Sequence, residues 1–156
     1  METGELRNRL CYWYSAKKSE EFITMRILYA ASEARPFAAS GGLADVAGSL
    51  PKALCAAGEE ACVVMPYYVN SFKPEQKEKM NYITNFTVPV GWRSQYCGLF
   101  SQQVDGVTYF FIDNEFYFKR DNGLYGYYDD AERYVFFSRA VLEMLKYIQF
   151  KPQVIN

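Results

Sequence analysis

The 156-residue sequence contains no histidine. That absence removes the commonest general base and every catalytic triad built on an imidazole, so acid-base work falls to carboxylates. Cysteine is scarce. Cys11, Cys55, Cys62 and Cys97 lie far apart with no C-x-x-C pair, which argues against zinc and against a dense disulfide framework. They read as free thiols in a reducing cytosol. No apolar run approaches the roughly 18 residues of a membrane span, and the charged segment 1–24 has no continuous apolar stretch of the signal-peptide kind. Bulk charge is lacking too. A net charge of -1 gives no general attraction to nucleic acid or anionic lipid, so any phosphate site must be local. The expectation is a soluble cytoplasmic protein that uses neither metal nor cofactor.

What is present is a chain half hydrophobic, long enough to bury one sizeable core. Residues 25–54 organise it: a buried strand over 27–31, a loop turning at Pro36, and a helix opening on Gly41-Gly42. Leu43, Val46, Ala47, Leu50 and Leu54 recur at helical spacing and are expected to pack on a sheet. Pro51 should kink or break this helix near Ala47, and Gly58 should end it. The unalternating run 61–65 suits a strand covered on both faces, completing a βαβ unit.

A loop over 66–74 and a helical turn over 75–80 precede β-rich runs at 83–90, 95–104 and 107–112. Asp105-Gly106 is a strong hairpin signal between the last two, and 107–112 is apolar enough to rejoin the central sheet. Residues 114–128 read as an aromatic-rich loop around Asn122-Gly123. Asp129 or Asp130 should cap a final helix of about five turns, with Tyr134, Phe137, Val141, Met144, Leu145 and Ile148 on its buried stripe. Lys151-Pro152 stops it, and 154–156 begins another apolar run. The expected fold is α/β, a Rossmann-like three-layer sandwich with a mostly parallel sheet and an inserted β-hairpin. It should occupy residues 25–156 behind a dispensable extension, 1–24. The end at Asn156 reads as a cut within a longer polypeptide.

The glycine pair at a helix start favours an anion, because first-turn amides lack intrahelical partners and the helix dipole adds positive charge there. Two phosphate-binding patterns fail. A dinucleotide fingerprint needs G-x-G-x-x-G and an acidic residue after the second strand, where this chain has Met65-Pro66-Tyr67. The string G-x-x-x-x-G-K-[ST] does not occur.

A third pattern fits. The string Ala39-Ser40-Gly41-Gly42-Leu43-Ala44-Asp45-Val46 resembles the amino-terminal signature of bacterial glycogen synthases and plant starch synthases, in which a lysine and a small hydroxyl residue precede Gly-Gly-Leu-Ala-Asp-Val. The likeness extends to Ser32-Glu33, to Gly48-Ser49-Leu50-Pro51-Lys52-Ala53-Leu54 and to Tyr125-Gly126. It continues through Asp130-Ala131-Glu132-Arg133-Tyr134, Phe136-Phe137-Ser138 and Lys151-Pro152-Gln153-Val154-Ile155. It thus covers residues 25–156.

The resemblance implies part of the N-terminal domain of a GT-B enzyme, a retaining glucosyltransferase that moves glucose from ADP-glucose to the non-reducing end of an α-1,4-glucan. It places Ala39, Ser40, Gly41, Gly42, Leu43 and Asp45 in the donor diphosphate loop, with the amides of Gly41 and Gly42 turned to the phosphates. Asp45 would lie near the sugar or merely complement the helix dipole. Tyr125, Tyr127 and Tyr128 would stack on glucan or pack internally. Ala39 stands where the family has lysine. The family's Asp-Trp-His segment and its C-terminal nucleotide-binding domain lie beyond the chain, so the fragment alone should be inactive. The rival readings are a non-catalytic glucan-binding module and a GT-B transferase using another sugar nucleotide.

Overall fold

The structure is a computed structural model that describes residues 24–156, so the expected extension over 1–24 lies, but for Thr24, outside the described residues. One six-stranded sheet runs in the order β3-β4-β5-β2-β1-β6, with β1 Arg26–Ala30, β2 Glu60–Pro66, β3 Asn81–Val90, β4 Arg93–Val104, β5 Val107–Asp113 and β6 Val154–Ile155. The β5-β2, β2-β1 and β1-β6 pairs are parallel, and the β3-β4 and β4-β5 pairs antiparallel. The expected hairpin, β4-β5, is therefore part of the main sheet, with β3 outside it as the edge strand and β5 against β2. Asp105 and Gly106 both take positive φ, 50° and 84°, the turn whose twist matches the strands it joins.

Register fixes the layers. On β5, Phe111 meets Phe37 of the loop after β1, with ring centroids 4.7 Å apart. The next residue, Ile112, points to the other face. It is paired with Leu99 on β4, and two residues back Cys97 is paired with Phe86 on β3. Phe86 stacks on Tyr147 at 4.8 Å, beyond the last helix. The two faces are thus covered by opposite halves of the chain. Helix α1 (Gly42–Ala56) packs on β2 and β5, while the last helix, α4 (Asp130–Met144), packs on β3 and β5. Between them in sequence lie two short helices, α2 (Pro74–Glu78) and α3 (Glu115–Phe118). Residues 61–66 of β2 are buried without a gap, as a doubly covered parallel strand should be.

Helix α1 corrects the expected stripe. Its buried residues are Ala44, Ala47 and Pro51, whereas Leu43, Val46 and Leu50 are 45%, 48% and 37% exposed. The cause is close approach. Arg35 donates its amide to the Ala44 carbonyl, and a Cβ on Gly48 would lie 2.9 Å from the Arg35 oxygen, so only the small-residue face fits. Nor does Pro51 break the helix, which runs continuously from Gly42 to Ala56 with the proline inside that buried face. The C-terminus follows expectation. Gly58, at φ 97°, donates to Cys55 O, and Glu59 donates to Leu54 O, bonds that close the last turn on its terminal carbonyls.

The second half shows three further differences. The loop over 114–128 contains α3, whose first turn is capped by the Asn114 side chain accepting the Tyr117 amide at 3.2 Å. Helix α4 is 15 residues long, about four turns. Asp129 holds its N-cap position without a capping bond; one carboxylate oxygen pairs with Arg120 at 2.6 Å, and Oδ1 is buried without a partner among the described residues. β6 pairs with β1, its flank tied by Asn156 N–H to Leu28 O at 2.9 Å. The three cysteines among the described residues are free thiols, and burial pushes the Cys62 thiol up to about 12.

Candidate functional site

The loops that follow β1, β2 and β5 gather at the carboxyl ends of these parallel strands. In α/β sheets a ligand crevice forms at that end, where chain direction across the sheet reverses. Here the reversal lies at β1. From it the chain proceeds through α1 to β2 on one side, and β6 returns on the other.

The loop from β1 is built as a rigid arch. Phe37 and Ala38 both donate their amides to Ala34 O, and the Phe37 ring is buried among Phe72, Tyr109 and Phe111. The Tyr109 hydroxyl donates to Arg35 O at 3.1 Å, and Gln76 Nε2 donates to Pro36 O at 3.0 Å. Glu33, only 2% exposed, accepts the Ser40 amide at 2.5 Å. This arch delivers Ala39, Ser40, Gly41, Gly42 and Leu43 to the surface, all exposed.

Gly41 is the N-cap of α1, with extended backbone and no side chain capping the helix. The amides of Gly42 and Leu43 find no acceptor among the described residues, and a Cβ on either glycine would touch nothing within 4 Å. The glycines therefore leave bare, donor-rich backbone at the positive end of a 15-residue helix, a surface suited to phosphate oxygens. Asp45 lies in the first turn, where its carboxylate pairs with Arg35 at 2.5 Å, both side chains 61% exposed. The pair leaves that guanidinium engaged beside the turn.

The three tyrosines proposed for glucan are not brought together. Tyr125 reaches the site, its hydroxyl 2.7 Å from Ser32 Oγ at the exit of β1. Burial raises its pKa, so the hydroxyl stays protonated. Tyr127 is built into its own loop. It accepts the Asn122 amide at 2.9 Å, donates to Gly123 O at 3.3 Å, and lies under the guanidiniums of both Arg120 and Arg133. Tyr128 is 94% exposed.

Two residues were missed by sequence reasoning. Arg133 is wholly buried; its signal was a cation at helical spacing with the apolar stripe of α4. Asp113 ends β5, and burial followed by the Glu115 charge pushes its carboxyl up to about 6. Nothing in the local string distinguishes it from a strand-ending surface aspartate. No cluster of metal-ligating side chains occurs among the described residues, and no described helix is long and apolar enough to cross a membrane.

Residues 26–156 match the starch synthase catalytic domain. The chain belongs to that family. It is 57% identical over 132 residues to a glycogen synthase of Geobacillus thermodenitrificans and 49% identical to one of Lactobacillus acidophilus, in each case over 85% of this chain and 27% of the relative. Its fold is similar to the catalytic domain of starch synthase IV from Arabidopsis thaliana bound to ADP and acarbose, with a TM-score of 0.74 and 27% identity. That likeness covers 85% of this chain and 27% of the plant chain. The chain thus spans about a quarter of the length of the starch and glycogen synthases it matches, and the α/β architecture is that of their GT-B catalytic domain.

Proposed function

We propose that this chain forms the donor-diphosphate side of the cleft in a glycogen or starch synthase, an enzyme that transfers glucose from ADP-glucose to the non-reducing end of an α-1,4-glucan with retention. The observation that carries this reading is the Gly41-Gly42 turn: exposed backbone, uncapped helix amides and no side-chain obstruction at the carboxyl ends of the parallel strands. When the glycosidic bond of the donor breaks, negative charge grows on the leaving phosphate. Fixed amide dipoles stabilise that charge without having to reorganise. The starch synthase relative that carries ADP and acarbose supports a nucleotide and an α-glucan as the two ligands.

In this reading Ser40, Gly41, Gly42 and Leu43 face the diphosphate. Asp45 holds Arg35 next to it, and Tyr125 walls the opposite side. Tyr127 supports the wall from within, and Tyr128 is free to meet glucan. The remaining acid-base groups and the nucleoside pocket come from the rest of the enzyme, including its C-terminal domain, and this segment alone does not turn over substrate. In this reading the enzyme works in the cytosol. Ala39, exposed where the family carries lysine, favours the alternative of a glucan-binding module with a weakened donor site.

Incubating the whole protein with ADP-glucose or UDP-glucose and a maltooligosaccharide tests the proposal. Extension with ADP-glucose, lost on Gly41→Val, is expected. Glucan binding without turnover on either donor would transfer the assignment to the binding module, and turnover on UDP-glucose alone would reassign the donor.

A further inference from the structure

Arg133 heads the fully buried side chains by volume, at 0% exposure. Its Nη1 donates to Asp130 Oδ1 at 3.0 Å, while Nε and Nη2 have no partner among the described residues. The guanidinium lies 5.4 Å from the Phe118 ring, 5.2 Å from Tyr127 and 5.1 Å from Tyr134. A buried cation with two idle donors is costly, and an apolar side chain of like volume would fill the space at less expense. Packing alone does not explain an arginine here.

What it holds does. The other oxygen of Asp130 accepts the Gly126 amide at 2.8 Å, and Gly126, with φ at 94°, follows Tyr125 directly. A second connection runs through the ring beside the guanidinium. The Tyr134 hydroxyl donates to Leu124 O at 3.1 Å and lies 3.0 Å from the Tyr68 hydroxyl, which donates to Ser32 O at 2.8 Å. Both connections leave the surroundings of Arg133. They grip the residues on either side of Tyr125 and the residue that its hydroxyl touches.

We infer that Arg133 is a positioning residue: through Asp130 and Tyr134 it fixes the turn over residues 124–126, so that Tyr125 stands against Ser32 as an immobile wall beside the glycine turn. The functional half of this inference rests on the donor-cleft reading above; the structural half rests on the geometry alone. Binding a substrate against a preset wall avoids an ordering cost at the moment of binding, so the loss should fall on KM more than on kcat.

The test uses the whole protein with Arg133→Met, which keeps volume and removes charge, and Tyr134→Phe, which removes only the hydroxyl. Amide hydrogen exchange should rise about tenfold at Tyr125 and Gly126 in Arg133→Met, with β2 amides unchanged. KM for ADP-glucose or maltooligosaccharide should rise about fivefold with kcat held within about twofold. Arg133→Lys should restore part of both. Tyr134→Phe should move in the same direction by less, and it carries the test if Arg133→Met does not fold. Unchanged exchange at Gly126, or exchange raised equally in β2, would overturn the positioning role. Loosened exchange with unchanged KM would overturn its functional half. A wild-type protein without turnover would instead remove the donor-cleft reading, and the exchange data would still decide what Arg133 does.

Discussion

The buried Glu33 carboxylate accepts the Ser40 amide, so the exit of β1 and the glycine turn are one mechanical piece. The arch is closed by a bond from the exposed Ser40 back to a residue seven positions earlier, and a hydrogen bond whose donor water can reach contributes about 0.5–1.5 kcal/mol. Glu33→Ala should therefore lower stability by about that amount. Glu33→Gln, which keeps a carbonyl acceptor, should cost less. Urea unfolding measures the loss, and amide exchange at Ser40 shows whether it is local. A Glu33→Ala protein as stable as the parent, with Ser40 still protected, would mean that the Phe37 packing and the Tyr109 and Gln76 hydrogen bonds hold the arch without Glu33.

Ala39 is exposed one residue before Ser40, and the nearby Arg35 is already committed to Asp45. A lysine at Ala39 would place a free cation beside the proposed phosphate position. At an exposed site such a charge is worth up to about 1 kcal/mol, or about fivefold in binding. Ala39→Lys should lower the donor KM of the whole protein by up to that factor and lose the gain in high salt. An unchanged or raised KM would remove the diphosphate from this side of the turn.

The legible parts of this fold were those set by local chemistry. Gly58 as helix terminator, Asp105-Gly106 as hairpin turn and the apolar run at the heart of β2 each rest on a conformation or burial pattern that few residues permit. The glycine turn was legible for the same reason. What failed needed knowledge of the neighbouring element. Two helical stripes one residue out of phase exist on α1, and only the approach of Arg35 to Gly48 selects the alanine face over Leu43, Val46 and Leu50. The burial of Arg133 likewise depends on Phe118 and Tyr127 arriving from an irregular loop, and spacing within α4 carries no record of them.

Asp113 makes a pH-dependent contribution that can be read as stability. Burial raises its folded-state pKa from 3.8 to about 6, and its Oδ1 is buried without a partner among the described residues. A carboxyl with a raised folded pKa stabilises fully only below its unfolded pKa, and that contribution fades as pH rises through the folded value. Between about pH 4 and 7 the fold should therefore lose stability at this site. Asp113→Asn removes the titrating group. The variant should gain about 1 kcal/mol over the parent at pH 7.5, after discounting for partial solvent exposure, and gain nothing at pH 3. Equal differences in the urea midpoint at both pH values would show that Asp113 titrates normally.

The two faces of α1 make opposite predictions for neighbouring residues. Gly48 is in a helix interior, where alanine is intrinsically better by about 1 kcal/mol. A Cβ there would nonetheless lie 2.9 Å from the Arg35 oxygen and 3.1 Å from its Cβ, and that oxygen is backbone held by the Tyr109 hydroxyl. Relief requires the helix to move off the sheet, which would unpack its own buried Ala44 and Ala47, both 0% exposed. Overpacking of this kind costs about 1–3 kcal/mol and outweighs the propensity gain. Gly48→Ala should thus destabilise. Val46, two residues earlier and 48% exposed, should accept glutamine within about 0.5 kcal/mol in the chain over residues 1–156. Thermal unfolding of the two variants decides between the faces. A stabilised Gly48→Ala together with a severely weakened Val46→Gln would return Val46 and Leu50 to the core, with α1 rotated by roughly one residue, about 100°.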